Sequence, residues 1–210
     1  WVQAARRAAR LEHPQLAPVV ELGVQDGWPF VAYDLSGRAT LADRLTKKGL
    51  PGAEAAGLAA ELLQGLAYAH EAGVAHGDLQ AAMCLVDDQG HVRLAGLEAA
   101  GEVPHAAGGV VAGSPLGTQR AAAERDVLAA GLLLHGMLAG TPALEESDIG
   151  RAIVRLPPLG REIVRLPWVG MHPIAEPLRA IVNRATDRQE RQRYRNARTL
   201  LHALEGWLKT

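Results

Sequence analysis

One stretch constrains this chain more than any other. Residues 126–140, DVLAAGLLLHGMLAG, are apolar on nearly every side when wound into a helix. A helix with one apolar stripe can lie on a surface, but a helix that is apolar all round needs full burial. A bilayer is the rival environment, yet the run is too short to span one and carries His135 at its middle. The chain must therefore build a body around a central helix. Suitable neighbours exist. Leu58, Leu62, Leu66 and Ala69 recur at helical spacing after Pro51, a residue suited to a first turn, and this helix should end near Gly73. Another helix is expected at about 176–186. Near the end, ARTLLHALEGWL sets Leu200, Leu201, Leu204, Trp207 and Leu208 on one stripe.

The first third reads differently. An alanine-rich segment with three arginines, residues 2–11, has good helix composition. PVVELGV then stops at Asp26-Gly27, a strong hairpin signal, and PFVAY resumes as a strand. A second, shorter hairpin spans Cys84 to Leu94, with Gly90 placed for the positive φ of its turn. A few strands followed by a helical body indicate an α+β fold.

Residues 101–123 are rich in Gly and Ala with few large apolar anchors, and are expected to form a loop. In 150–170, GRAIVRLPPL is followed at once by GREIVRLPWV. Two copies are too few for a solenoid, so this is a local duplication in a connection punctuated by Pro157, Pro158 and Pro167. The 22 basic and 23 acidic residues leave a charge of −1, so no global field recruits nucleic acid or anionic lipid. The lone cysteine, Cys84, excludes an internal disulfide and suits a reducing cytoplasm. Opening on Trp1 without a Met, with no secretory signal, the chain reads as a piece of something longer.

Several stretches together resemble the bacterial eukaryotic-like (Hanks-type) serine/threonine protein kinases, in matching order over nearly the whole length. RLEHPQLAPVVELGVQDGWPFVAYDL is similar to the end of that family's small-lobe helix, its last small-lobe hairpin and the hinge. LLQGLAYAHEAGVAHGDLQAAMCLVDDQGHVRL resembles the helix, catalytic loop and hairpin that follow, and RDVLAAGLLLHGMLAGTPA the buried large-lobe helix. NRATDRQERQRYRNARTLLHALEGWL resembles the final helix pair. The resemblance implies a kinase-like fold made mainly of the helical large lobe, residues 35–210. Residues 1–34 would be a small-lobe remnant of one helix and one hairpin.

It also implies where the chemistry should sit. The family transfers phosphate by positioning and charge stabilisation: a glycine-rich loop, a strand lysine paired with a helix glutamate, a catalytic aspartate, and an asparagine with a second aspartate on magnesium. Here the catalytic-loop pattern reads His76-Gly77-Asp78, with Met83 at the asparagine position and Gln80 at that of the basic residue. The magnesium aspartate position falls on Gly96, within Gly96-Leu97-Glu98, and the helix glutamate position on Ala4. The glycine loop and strand lysine would precede residue 1. A thioether is a soft ligand where Mg²⁺ demands hard oxygens.

The resemblance thus implies a degenerate member: a pseudokinase, not an enzyme, serving as a signalling or scaffolding module. Two alternatives stand beside it, an atypical active kinase and a non-catalytic nucleotide switch, each with the rest of the small lobe upstream. His76 and Asp78 would be remnants, the first a core histidine and the second a hydrogen-bonded loop residue. Tyr33 would be the gatekeeper and Asp34 the acid of a vestigial hinge. Asp126 would accept bonds from the catalytic-loop backbone, and Arg193 would be the family's structural arginine. No cofactor or metal is expected, beyond weak magnesium-independent nucleotide binding. The 8 histidines show no metal-ligand spacing. Arg184, Arg188, Arg191, Arg193, Arg195 and Arg198 are diluted by Asp187 and Glu190, which argues against nucleic acid. The expected partner is a protein or a fused output domain. No membrane contact is expected.

Overall fold

The computed structural model describes residues 2–34, 39–45, 47–99, 115–140, 168 and 172–210. The first 14 positions of the loop at 101–123, and the tandem pair apart from Trp168, lie outside them. Helix α1 (Val2–Ala8) leads to strands β1 (Val19–Gln25) and β2 (Trp28–Tyr33). Their turn has positive φ at both Asp26 (52°) and Gly27 (83°), the primed geometry whose twist matches an antiparallel pair. Strand β3 (Ala39–Thr40) and helix α2 (Leu41–Arg44) precede the long helix α3 (Gly52–Glu71). Strands β4 (Cys84–Val86) and β5 (Val92–Leu94) follow, then helices α4 (Pro115–Ala139), α5 (Glu176–Ala185) and α6 (Ala197–Leu208).

Helix α4 is the hub. From Asp126 to Gly140 nearly every residue is buried, with Leu134, Met137 and Leu138 sealed. Helix α3 packs on α4 and α6 through Leu62, Leu63 and Leu66, and α5 rests on α4 and α6. Helix α3 passes the N-terminal segment closely enough that a Cβ on Gly65 would lie 2.7 Å from the Gln15 carbonyl oxygen. In α6, Leu200, Leu201 and Leu204 are buried, but Leu208, the last helical residue, is 40% exposed.

The sequence expectation of a loop through residue 123 is corrected here. Residues 115–123 belong to α4. Pro115 opens the helix with φ already set, and the alanine-rich segment around Arg120 and Glu124, paired at 3.0 Å across one turn, favours helix without apolar anchors. Conversely, α1 ends at Ala8, short of the expected residue 11.

Two sheets result. One is the β1–β2 hairpin alone, and the other has the order β3-β4-β5. Beside β5 lies a parallel bridge between Leu16 and Leu94, with Leu94 N–H donating to the Gln15 carbonyl (2.8 Å) and Ala17 N–H to that of Leu94 (2.9 Å).

Candidate functional site

Helix α3 ends at Ala72, and Gly73 (φ 82°) turns the chain into a loop that runs to β4. Asp126, 1% exposed on α4, holds this loop. Its Oδ2 accepts the His76 N–H at 2.7 Å and its Oδ1 accepts the Gly77 N–H at 2.7 Å. The same Oδ2 lies 2.9 Å from His70 Nε2, so the proton of that buried ring sits on Nε2 and faces the carboxylate. Three donors on one buried carboxylate supply the pairing that a buried charge requires.

His76 is itself buried and spans the loop. Its Nε2 donates to the Ala95 carbonyl at 2.9 Å, while Nδ1 accepts the Asp78 N–H at 3.3 Å. With both ring nitrogens committed, His76 ties the loop to the end of β5. Asp78 is exposed, and its Oδ2 accepts from Gln80 Nε2 at 2.7 Å. The residue at the basic position thus rests on the carboxylate beside it.

Met83 closes a 3₁₀ turn, Ala81–Met83, and its carbonyl accepts the Ala95 N–H at 2.8 Å. Its sulfur fills the space in front of Gly96. A Cβ on Gly96 would come 3.2 Å from Met83 Sδ and 3.1 Å from His76 Nε2, and φ at Gly96 is 96°. A side chain there is opposed twice, by contact and by backbone conformation.

The Gly96 N–H is met from the hairpin. Gly96 N–H donates to the Tyr33 hydroxyl at 2.9 Å, and that hydroxyl donates to Glu98 Oε2. Glu98 is 4% exposed. Burial, then the bond to Glu98, raises the Tyr33 pKa well above the ordinary phenol value, with the Gly96 N–H opposing. Asp34, next along, is exposed at the end of β2. No local pattern announces the Tyr33–Gly96–Glu98 contact, or His70 as the third donor to Asp126.

Elsewhere, the Arg193 guanidinium donates to the carbonyls of Asp187 and Arg188 (3.3 Å for the latter), closing the loop before α6. Its neighbours in the arginine cluster are also engaged. Arg184 stacks 4.5 Å from the Tyr194 ring centre and Arg198 forks onto Glu71 at 2.9–3.0 Å. Cys84 is fully buried, and burial pushes its thiol up to about 12. Among the described residues no group of three or more His, Cys, Asp or Glu side chains could hold a metal ion, and no helix is long and apolar enough to cross a membrane.

A buried central helix, a carboxylate-held loop between α3 and a short hairpin, and a separate hairpin tied to the turn after β5 define a protein-kinase-like α+β fold. The chain belongs to the protein kinase family: the protein kinase domain profile matches residues 5–204. It is 31% identical over 164 residues to the serine/threonine-protein kinase PknL of Mycobacterium tuberculosis, covering 72% of this chain and 41% of PknL. It is 29% identical over 147 residues to a probable serine/threonine-protein kinase, pknA2, of Bifidobacterium longum, covering 65% of this chain and 19% of that protein. The chain therefore spans less than half the length of these bacterial relatives.

Proposed function

We propose that this chain is a catalytically inactive kinase-like domain that works through protein contacts, as a signalling or scaffolding module, with a protein partner or a fused output domain. One observation carries the reading: the space before Gly96, where the family's magnesium carboxylate would project, holds the Met83 thioether and the His76 ring. The remaining donors do not suit a magnesium-bound triphosphate. Met83 offers sulfur, Glu98 is taken by Tyr33, and Asp78 is taken by Gln80. No phosphoryl-transfer step is derived from them.

The test is transfer of labelled γ-phosphate from ATP to the chain and to generic protein substrates, with Mg²⁺ or Mn²⁺. The expected result is no incorporation above background. Labelling that vanishes in Asp78→Asn would overturn the reading. A parallel melt asks whether magnesium matters. A ligand at about a hundred times its Kd adds roughly 2.7 kcal/mol, which moves the Tm of a domain this size by about 5–10 °C. The expected shift with millimolar ATP is small and the same with and without Mg²⁺.

A further inference from the structure

We infer that Tyr33 and Glu98 form a built-in latch that clamps the β1–β2 hairpin onto the Gly96 turn. Tyr33 is the last residue of β2, and Glu98 lies in the 3₁₀ turn Leu97–Ala99 that follows Gly96. The two are 65 positions apart in sequence, so their contact ties the hairpin to the body of the fold.

The chemistry of the contact is that of a closure. The Tyr33 hydroxyl donates to a carboxylate that is 4% exposed, and the hydroxyl oxygen accepts the Gly96 N–H at 2.9 Å. A carboxylate at that depth needs a donor, and the hydroxyl supplies one; an O–H···O⁻ bond is among the stronger hydrogen bonds of a protein interior. Tyr33 also packs against Ala17, Leu85 and Ala95, which form a small apolar cluster separate from the main core. The ring is thus positioned by packing and its hydroxyl by two bonds of opposite sense. Where a Gly96 side chain would project stand Met83 and His76. The Gly96 N–H and the place of its missing side chain are thus both taken, and a molecule entering between hairpin and turn must displace the phenol. This goes beyond the proposed inactivity: the latch would restrain an active domain as well as an inactive one, so its test does not read phosphate transfer.

The test is amide hydrogen exchange resolved at Gly96, His76 and Gly77 in the whole chain. Tyr33→Phe removes one oxygen and keeps the ring. Gly96 N–H then loses its acceptor, and its exchange should accelerate about tenfold, the scale of one buried hydrogen bond lost. The His76 and Gly77 amides, held by Asp126, should be unchanged. Glu98→Gln keeps volume and one acceptor oxygen but loses the charge, so Gly96 should accelerate by a smaller factor. Unchanged Gly96 exchange in Tyr33→Phe would overturn the latch. So would equal acceleration at all three amides, because that reports general loosening, and so would wild-type exchange in Glu98→Gln, because the carboxylate would then not be the closing partner.

Discussion

Replacing Asp126 by alanine isolates what holds the loop between α3 and β4. The carboxylate accepts from His76 N–H, Gly77 N–H and His70 Nε2, at 2.7, 2.7 and 2.9 Å, and is 1% exposed. The variant leaves these donors facing an apolar methyl and a small void. An unpaired buried donor costs about 1–3 kcal/mol. The three do not weigh equally. The His76 region is buried and its N–H has no route to water, Gly77 is only half-buried and can recover part of its bond, and the His70 ring can turn. Removing the carboxylate also removes its own desolvation cost. The balance is a loss of roughly 3–5 kcal/mol, the range found when one partner of a buried charged group is deleted. That is a third or more of a typical folding free energy. Asp126→Asn keeps the volume and one acceptor, and should lose about half as much. Equilibrium urea denaturation measures both: with a slope near 2 kcal/mol per molar, the alanine variant should unfold about 2 M earlier. A loss under about 1 kcal/mol in Asp126→Ala would refute the reasoning, since the loop would then be held by something else.

Two further outcomes follow from α3 and from Cys84. Gly57→Ala should stabilise by about 1 kcal/mol through helix propensity, since its Cβ meets nothing within 4 Å, whereas Gly65→Ala should destabilise because its Cβ falls 2.7 Å from the Gln15 carbonyl; paired thermal melts check the opposite signs. The Cys84 thiol is raised by burial from 9.0 to about 12, so the unfolded state gives up its proton first as pH rises. Stability is full below pH 9 and falls above it by about 1.4 kcal/mol per pH unit. Tyr33, also raised, joins in the same direction only above its ordinary value of 10.0, so urea midpoints between these two pH values report on Cys84, and Cys84→Ala should flatten that slope.

What was legible in the sequence was local. The hub helix declares itself because all-round apolarity has one solution, and Leu58, Leu62 and Leu66 find their buried face by period alone. Asp26-Gly27 and Gly90 fix their turns because few residues accept positive φ. The start of α4 escapes apolar patterning because helix propensity alone builds it where apolar anchors are scarce, and the stripe of α6 does not show that Leu208 stays exposed. Asp126 was found only through family resemblance; no periodicity marks an acceptor whose donors lie some fifty positions away. The crowding at Gly96 and the Tyr33–Glu98 bond were invisible for the same reason. Each is made by residues that no local pattern links, brought together by the packing of the whole.

The Leu16–Leu94 bridge changes how the hairpin should be pictured mechanically. The chain leaves the larger sheet at Ala17, beside β5, and re-enters it at Ala39, in β3 beside β4. The β1–β2 hairpin is therefore a cantilever with both feet pinned in one sheet, and its free motion is a swing about those feet. Tyr33 stands at the root and Asp26-Gly27 at the tip, about 20 Å away at the rise of an extended strand. Movement at the phenol is small wherever movement at the tip is large. A force applied to the tip, where Trp28 is 78% exposed, acts on the Tyr33 hydroxyl through a long arm.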